Sequence, residues 1–143
     1  MSRRSSILWL SLVLLATLLV NLTTIAQPFG RDQGIFAYIG DGLNHGLVPY
    51  RDAWDHKPPG IYFIYATAFG LLGRNMPSVH LLETLYVLLG VLAVYVLARQ
   101  IYGSTALGLL AACFYGLGSA LLFEWWDRGQ AEVYMGLLGT LSI

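Results

Sequence analysis

The sequence predicts an all-α, polytopic membrane protein, and three observations carry that prediction. The 143-residue chain is 57% hydrophobic and only 11% charged, with a mean hydropathy of +0.63. A soluble domain carries roughly 25% charged residues, so the deficit is too deep for a soluble core. Long apolar runs recur at 7–26, 78–98 and 105–123, each close to the ~20 residues that a crossing helix needs. Polar chemistry is concentrated between the runs. The stretch from Asp32 to Gly60 holds Asp32, Asp41, Asp52 and Asp55, four of the eight acidic residues, together with Arg51, Lys57, His45 and His56. A membrane protein that gathers its ionisable groups in one interhelical loop places its site there.

The elements follow in order. Arg3 and Arg4 precede the uncharged run 7–26. A basic start and an apolar stretch also mark a signal peptide. This run exceeds a ~7–15-residue signal core, and proline follows Gln27 directly, so a first membrane helix is the better reading. Pro28 and Gly30 stop it. Over 31–45, Asp32, Ile35, Phe36, Ile39 and Leu43 share one face at 100° per residue, with Asp41 and Asn44 opposite. That pattern predicts a short interfacial helix. Asp32 is the anomaly, an acid on the apolar face. It is either a functional acid or the helix N-cap, although Ile35 stands where a capping box wants Glu or Gln.

Residues 46–59, GLVPYRDAWDHKPP, read as an irregular loop, since Pro49, Pro58 and Pro59 deny helix and inner strand. Such a loop cannot face lipid with its backbone unsatisfied. Tyr50 and Trp54 are side chains suited to the headgroup boundary. Residues 60–73 are apolar but short, which predicts a second interfacial helix that does not cross. The runs 78–98 and 105–123 cross, with a tight turn at Gly103-Ser104. A second polar island, 124–132, carries Asp127, Arg128 and Glu132, and another helix starts at 133. The N-terminus and Arg99 then share one side, and the 27–77 loop and the island share the other. The positive-inside rule opposes this by simple count, but the outer cations alternate with acids and read as site-bound. The last apolar run is cut short at Ile143, so the sequence reads as the N-terminal part of a longer protein.

Several functions are excluded. Zero formal charge implies no general polyanion partner, and no basic groove for nucleic acid exists. Cys113 is alone and makes no internal disulfide. No glycine-rich phosphate cradle appears, so nucleotide-sugar or ATP use is not suggested.

The string GLVPYRDAWDHKPPGIYFIYA, preceded by DQGIFAYIGDGLNHG and followed by LLGRNMPSVHLLETL, resembles the N-terminal region of polytopic GT-C glycosyltransferases. It is similar to the glycosyltransferase family 39, protein-mannosyltransferase-like and aminoarabinose-transferase-like group of bacteria, and to the galacturonosyltransferase-like branch. The resemblance covers nearly the whole chain, and PYRD-x-W-x-x-KPPG is its most specific piece. It implies a GT-C-type transmembrane helical bundle in the bacterial inner (cell) membrane, with the active loop outside the cytoplasm. It implies transfer of a sugar from a polyprenyl-phosphate carrier to a lipid, glycan or protein acceptor. An essential acid of that loop falls on Asp32, and the loop lysine falls on Lys57. Many members have Asp-Glu where this chain has Asp32-Gln33. The aminoarabinose-transferase pattern has Glu where this chain has His56, so its metal contact does not carry over. No cofactor is assigned, and a divalent metal is left open.

The chemistry assigns roles. The acceptor hydroxyl must lose its proton as it attacks C1, and Asp32 is the candidate base. The leaving phosphate needs cations, Lys57 first, then Arg51 and Arg128. The alternative is that Arg51 and Lys57 pair with Asp52 and Asp55. Glu132 and Asp127 are candidates for a second acid or an acceptor contact, with helix-dipole stabilisation beside Arg128 as the plainer role for Glu132. His56, Pro58 and Pro59 shape the loop. The 60–73 segment is a candidate groove for the prenyl tail. His80 and Glu83, at i, i+3, read as a local hydrogen-bonded pair, and no metal site is assigned. Two other classes compete with the enzyme: a non-catalytic or truncated polyprenyl-lipid-binding protein, and a transporter or flippase fragment. Transporters place ionisable groups within helices, whereas most of those here lie in loops.

Overall fold

The computed structural model describes residues 2–122 and 128–143. Among the described residues it is all-helical: α1 (Arg3–Leu22), α2 (Arg31–Leu43), α3 (Gly60–Leu72), α4 (Met76–Tyr102), α5 (Thr105–Leu121) and α6 (Ala131–Leu141). Two helices, α1 and α4, are long and apolar enough to cross a membrane. At 1.5 Å per residue they span ~30 and ~40 Å, against a ~30 Å hydrocarbon core. α3 and α5 are apolar but shorter.

Capping chemistry sets the helix ends, and it moves several of the expected ones. The Ser2 hydroxyl accepts from the Ser5 N–H at 3.2 Å, so α1 begins at Arg3 and not at residue 7. At its other end, the Thr23 and Thr24 hydroxyls donate to the Val20 and Asn21 carbonyls. The chain therefore leaves the helix at Leu22, short of residue 26. Asn75 caps α4 through Ser78 N–H, and Gly103 closes it in the left-handed conformation, giving a helix longer than 78–98. The expected end of α5 at 123 lies outside the described residues.

α2 corrects the sequence reading most. Its N-cap is Gly30, and the Gln33 side chain reaches back to the Gly30 N–H at 2.6 Å. Asp32 is thus a first-turn residue, not the cap. The reciprocal bond expected at position 35 is made at 33, because the helix starts one residue before Asp32.

Two apolar clusters organise the chain. In the first, Phe36 and Ile39 of α2 pack on Ile61, Tyr62, Tyr65 and Ala68 of α3, with Val79 of α4 and Tyr134 of α6. Gly40 lets α2 and α3 approach this closely, since a Cβ there would lie 2.6 Å from the Tyr65 Cβ. In the second cluster, Val91 and Tyr95 of α4 meet Ala112 of α5, with Val13 and Leu14 of α1 beside them. α4 runs through both, touching α1, α3, α5 and α6. It is the element that fixes the polar loop relative to the long helices.

Candidate active site

Lys57 is placed by its own backbone. Its carbonyl accepts from the Tyr50 hydroxyl at 2.7 Å, and the Tyr62 hydroxyl lies 3.1 Å away. Tyr62 also lies 2.9 Å from the Asp55 carboxylate. A phenol has one proton, and the charged oxygen is the stronger acceptor, so Tyr62 donates to Asp55. Tyr50 takes a positive φ of 67° to make this fit, and its ring meets Tyr62 edge-on. Pro59 is the N-cap residue of α3, and Pro58 lies between it and Lys57. Asp55 is buried and accepts from the His56 N–H, while the His56 ring stays exposed, 3.1 Å from the same carboxylate. The loop is therefore tied to α3 through Tyr62.

The Lys57 ammonium emerges at a cavity of about 660 Å³. Asp32, Lys57, Glu83 and Glu132 line its polar part, and Val87, Phe114 and Leu122 are among its apolar wall residues. α4, α5 and α6 supply that wall. α3 supplies none of it, so the groove expected from 60–73 is not this one: α3 turns Ile61, Tyr62 and Tyr65 into the core against α2, while Phe63, Leu71 and Leu72 stay exposed. Asp32 is half-buried in the first turn of α2 and makes no ion pair or hydrogen bond with the other described residues.

Lys57 pairs with Glu132 at 2.7 Å, not with Asp52 or Asp55. The lysine side chain is 18% exposed and the glutamate 68%. Lys57 holds the Glu132 carboxyl below its usual range, mainly by the hydrogen bond. A pair this wet contributes only ~0–1 kcal/mol, so a competing anion can displace Glu132 at little cost.

Arg128 is placed differently from a phosphate ligand. Its side chain is 3% exposed, 3.7 Å from the equally buried Glu83 carboxylate. It also donates to Asn21 of α1, and it does not line the cavity. The expected Arg128–Glu132 neighbourhood gives way to Arg128–Glu83, because α4 runs beneath the turn that carries Arg128. Around it, the Gly129 N–H donates to Glu83 at 2.9 Å, Tyr65 donates to the Gly129 carbonyl, and Gln33 donates to the Arg128 carbonyl. The expected His80–Glu83 contact is present at 3.5 Å.

Arg51 stands apart, 69% exposed and forked onto Asp52 by two 2.7 Å bonds. That hydrogen bond, then the Val48 N–H, holds the Asp52 carboxyl down to about 2. Asp127 lies outside the described residues. Among those described, no three of His, Cys, Asp and Glu gather as a metal-binding group. Sequence reasoning missed Asn21, Gln33, Tyr62 and Tyr65. Asn21 carried a signal, being a lone amide in a membrane-length run. The tyrosines carried none, being aromatic in an aromatic segment.

Spanning-length helices with carboxylates and a lysine gathered at one cavity define a helical membrane protein. The family model described as dolichyl-phosphate-mannose-protein mannosyltransferase matches residues 56–142, and the chain belongs to that family, which is glycosyltransferase-like and of the GT-C type. Lys57 and Glu132 fall inside the matched span, and Asp32 and Arg51 fall before it. No curated protein and no solved structure matches the chain.

Proposed function

We propose that the chain is the N-terminal part of a multi-pass membrane glycosyltransferase that takes a sugar from a polyprenyl-phosphate donor. The transfer acts on a lipid, glycan or protein hydroxyl at the outer face of a bacterial cell membrane. The observation that carries this reading is the one cavity shared by Asp32, Lys57 and Glu132, with an apolar wall beside them. A phosphate ester on a long apolar tail has the matching chemistry. In the resting state Lys57 holds Glu132, and the donor phosphate takes that place. The acceptor oxygen attacks C1 and its proton passes to Asp32. The C1–O bond to phosphate breaks, and the released polyprenyl phosphate keeps the electron pair, its charge held by Lys57. Arg51 and Arg128 are left out of these steps, being paired elsewhere.

The test is transfer from a radiolabelled prenyl-phosphate sugar by the purified full-length protein in detergent. Lys57→Ala is expected to raise KM for the donor and to slow transfer, together ~10–100-fold in kcat/KM, the size of a lost charge-assisted hydrogen bond. Donor binding without turnover by the wild type would favour a lipid-binding protein instead.

Topology supplies a second expectation. α4 crosses, so the loop and the α4–α5 turn lie on opposite sides. In a Cys113→Ala background, His45→Cys should label from outside and Gln100→Cys only from inside. Labelling of both from one side would overturn the arrangement.

A further inference from the structure

We infer that Gln33, Tyr65 and Glu83 form a socket for the Arg128–Gly129 peptide, and that this socket positions α6 so that Glu132 faces Lys57. Three helices each send one buried side chain to the same short piece of backbone. Gln33 of α2 donates through Nε2 to the Arg128 carbonyl, Tyr65 of α3 donates to the Gly129 carbonyl at 3.1 Å, and Glu83 of α4 accepts from the Gly129 N–H at 2.9 Å. All three side chains are at most 3% exposed. Gly129 has a φ of +62°, and a Cβ there would sit 2.9 Å from the Tyr65 hydroxyl, so the socket admits glycine alone without strain.

The amide at position 33 has a specific use. Its oxygen caps α2 through Gly30 while its nitrogen holds Arg128. An ionised glutamate could cap but has no proton to donate. α6 begins at Ala131, two residues beyond the held peptide. Its first turn presents Glu132 to Lys57 and Val133 to the cavity. The residues of the socket are positioning residues: two of them, Gln33 and Tyr65, do not line the cavity at all.

The effect on turnover rests on the proposed transfer site, whereas the docking of α6 does not. Two readouts separate them. Amide hydrogen exchange in the full-length protein reports docking, and the radiolabel assay reports transfer. Tyr65→Phe and Gln33→Met each remove one bond to the held peptide, Gln33→Met together with the Gly30 cap of α2, and each is expected to speed exchange over 129–135 by about two- to tenfold, with larger loss in the double variant. Exchange in α5 should stay unchanged. Ser78→Ala removes a buried hydroxyl bond elsewhere and should leave α6 exchange at the wild-type rate. Transfer should fall in step with α6 exchange, in kcat more than in donor KM. Unchanged exchange at 129–135 in the double variant would overturn the socket. Faster exchange with full transfer would overturn its role in positioning. Faster exchange in the variants, with no transfer by the wild type, would support the socket and remove the enzymatic reading.

Discussion

Asp32→Asn is expected to lower sugar transfer ~10²–10⁴-fold, the usual cost of losing a general base. The substitution keeps size and shape but removes the proton acceptor. Folding should survive it, because Asp32 neither caps α2 nor bonds to the other described residues. The cap is Gly30 with Gln33, and that pair is untouched. Donor binding should also survive, since the proposed phosphate contact is that of Lys57. The predicted signature is therefore a fall in kcat with donor KM nearly constant. Near-normal turnover would remove Asp32 from the chemistry. A loss of expression or of helical signal would instead make it a structural residue.

Arg128→Met is expected to destabilise the full-length protein by about 3 kcal/mol. Arg128 and Glu83 are both 3% exposed and form an ion pair. Removing one partner of a buried pair costs ~3–5 kcal/mol, because the other charge is left uncompensated. The lower figure applies here, since Glu83 keeps its bond from the Gly129 N–H. Neutralising that carboxylate as well should recover much of the loss, so Arg128→Met with Glu83→Gln should be more stable than Arg128→Met alone. Unfolding by denaturant in mild detergent measures both. A single variant within ~0.5 kcal/mol of wild type would mean that the pair is solvated and weak.

The two variants probe different kinds of knowledge. Asp32 and Lys57 were legible as candidates because they sit in a polar loop between apolar runs, and composition along the chain shows that directly. Arg128 was legible as a charged residue in a polar island, but its buried pairing with Glu83 was not. Nothing in the island names Glu83 as its partner, since the two lie on separate elements. The same holds for the lysine. Asp55, two residues away, is the alternative partner that sequence proximity offers, but Tyr62 and the His56 N–H take that carboxylate. Glu132, 75 residues on, takes the ammonium.

The sequence by itself determined the helical class, the apolar runs of which two form helices long enough to cross a membrane, the polar loop between those two and the residue types present there. Those follow from hydropathy, length and backbone chemistry, which act locally along the chain. Helix ends were legible only in part, because capping depends on single side chains such as Ser2 and Gln33. Only the tertiary structure decided which acid meets which cation, which helices wall the cavity, and that Gln33, Tyr65 and Glu83 converge on one peptide. Ion pairs and hydrogen bonds act over a few ångströms, and the packing of α2 on α3, and of α3 and α6 on α4, sets which groups come that close.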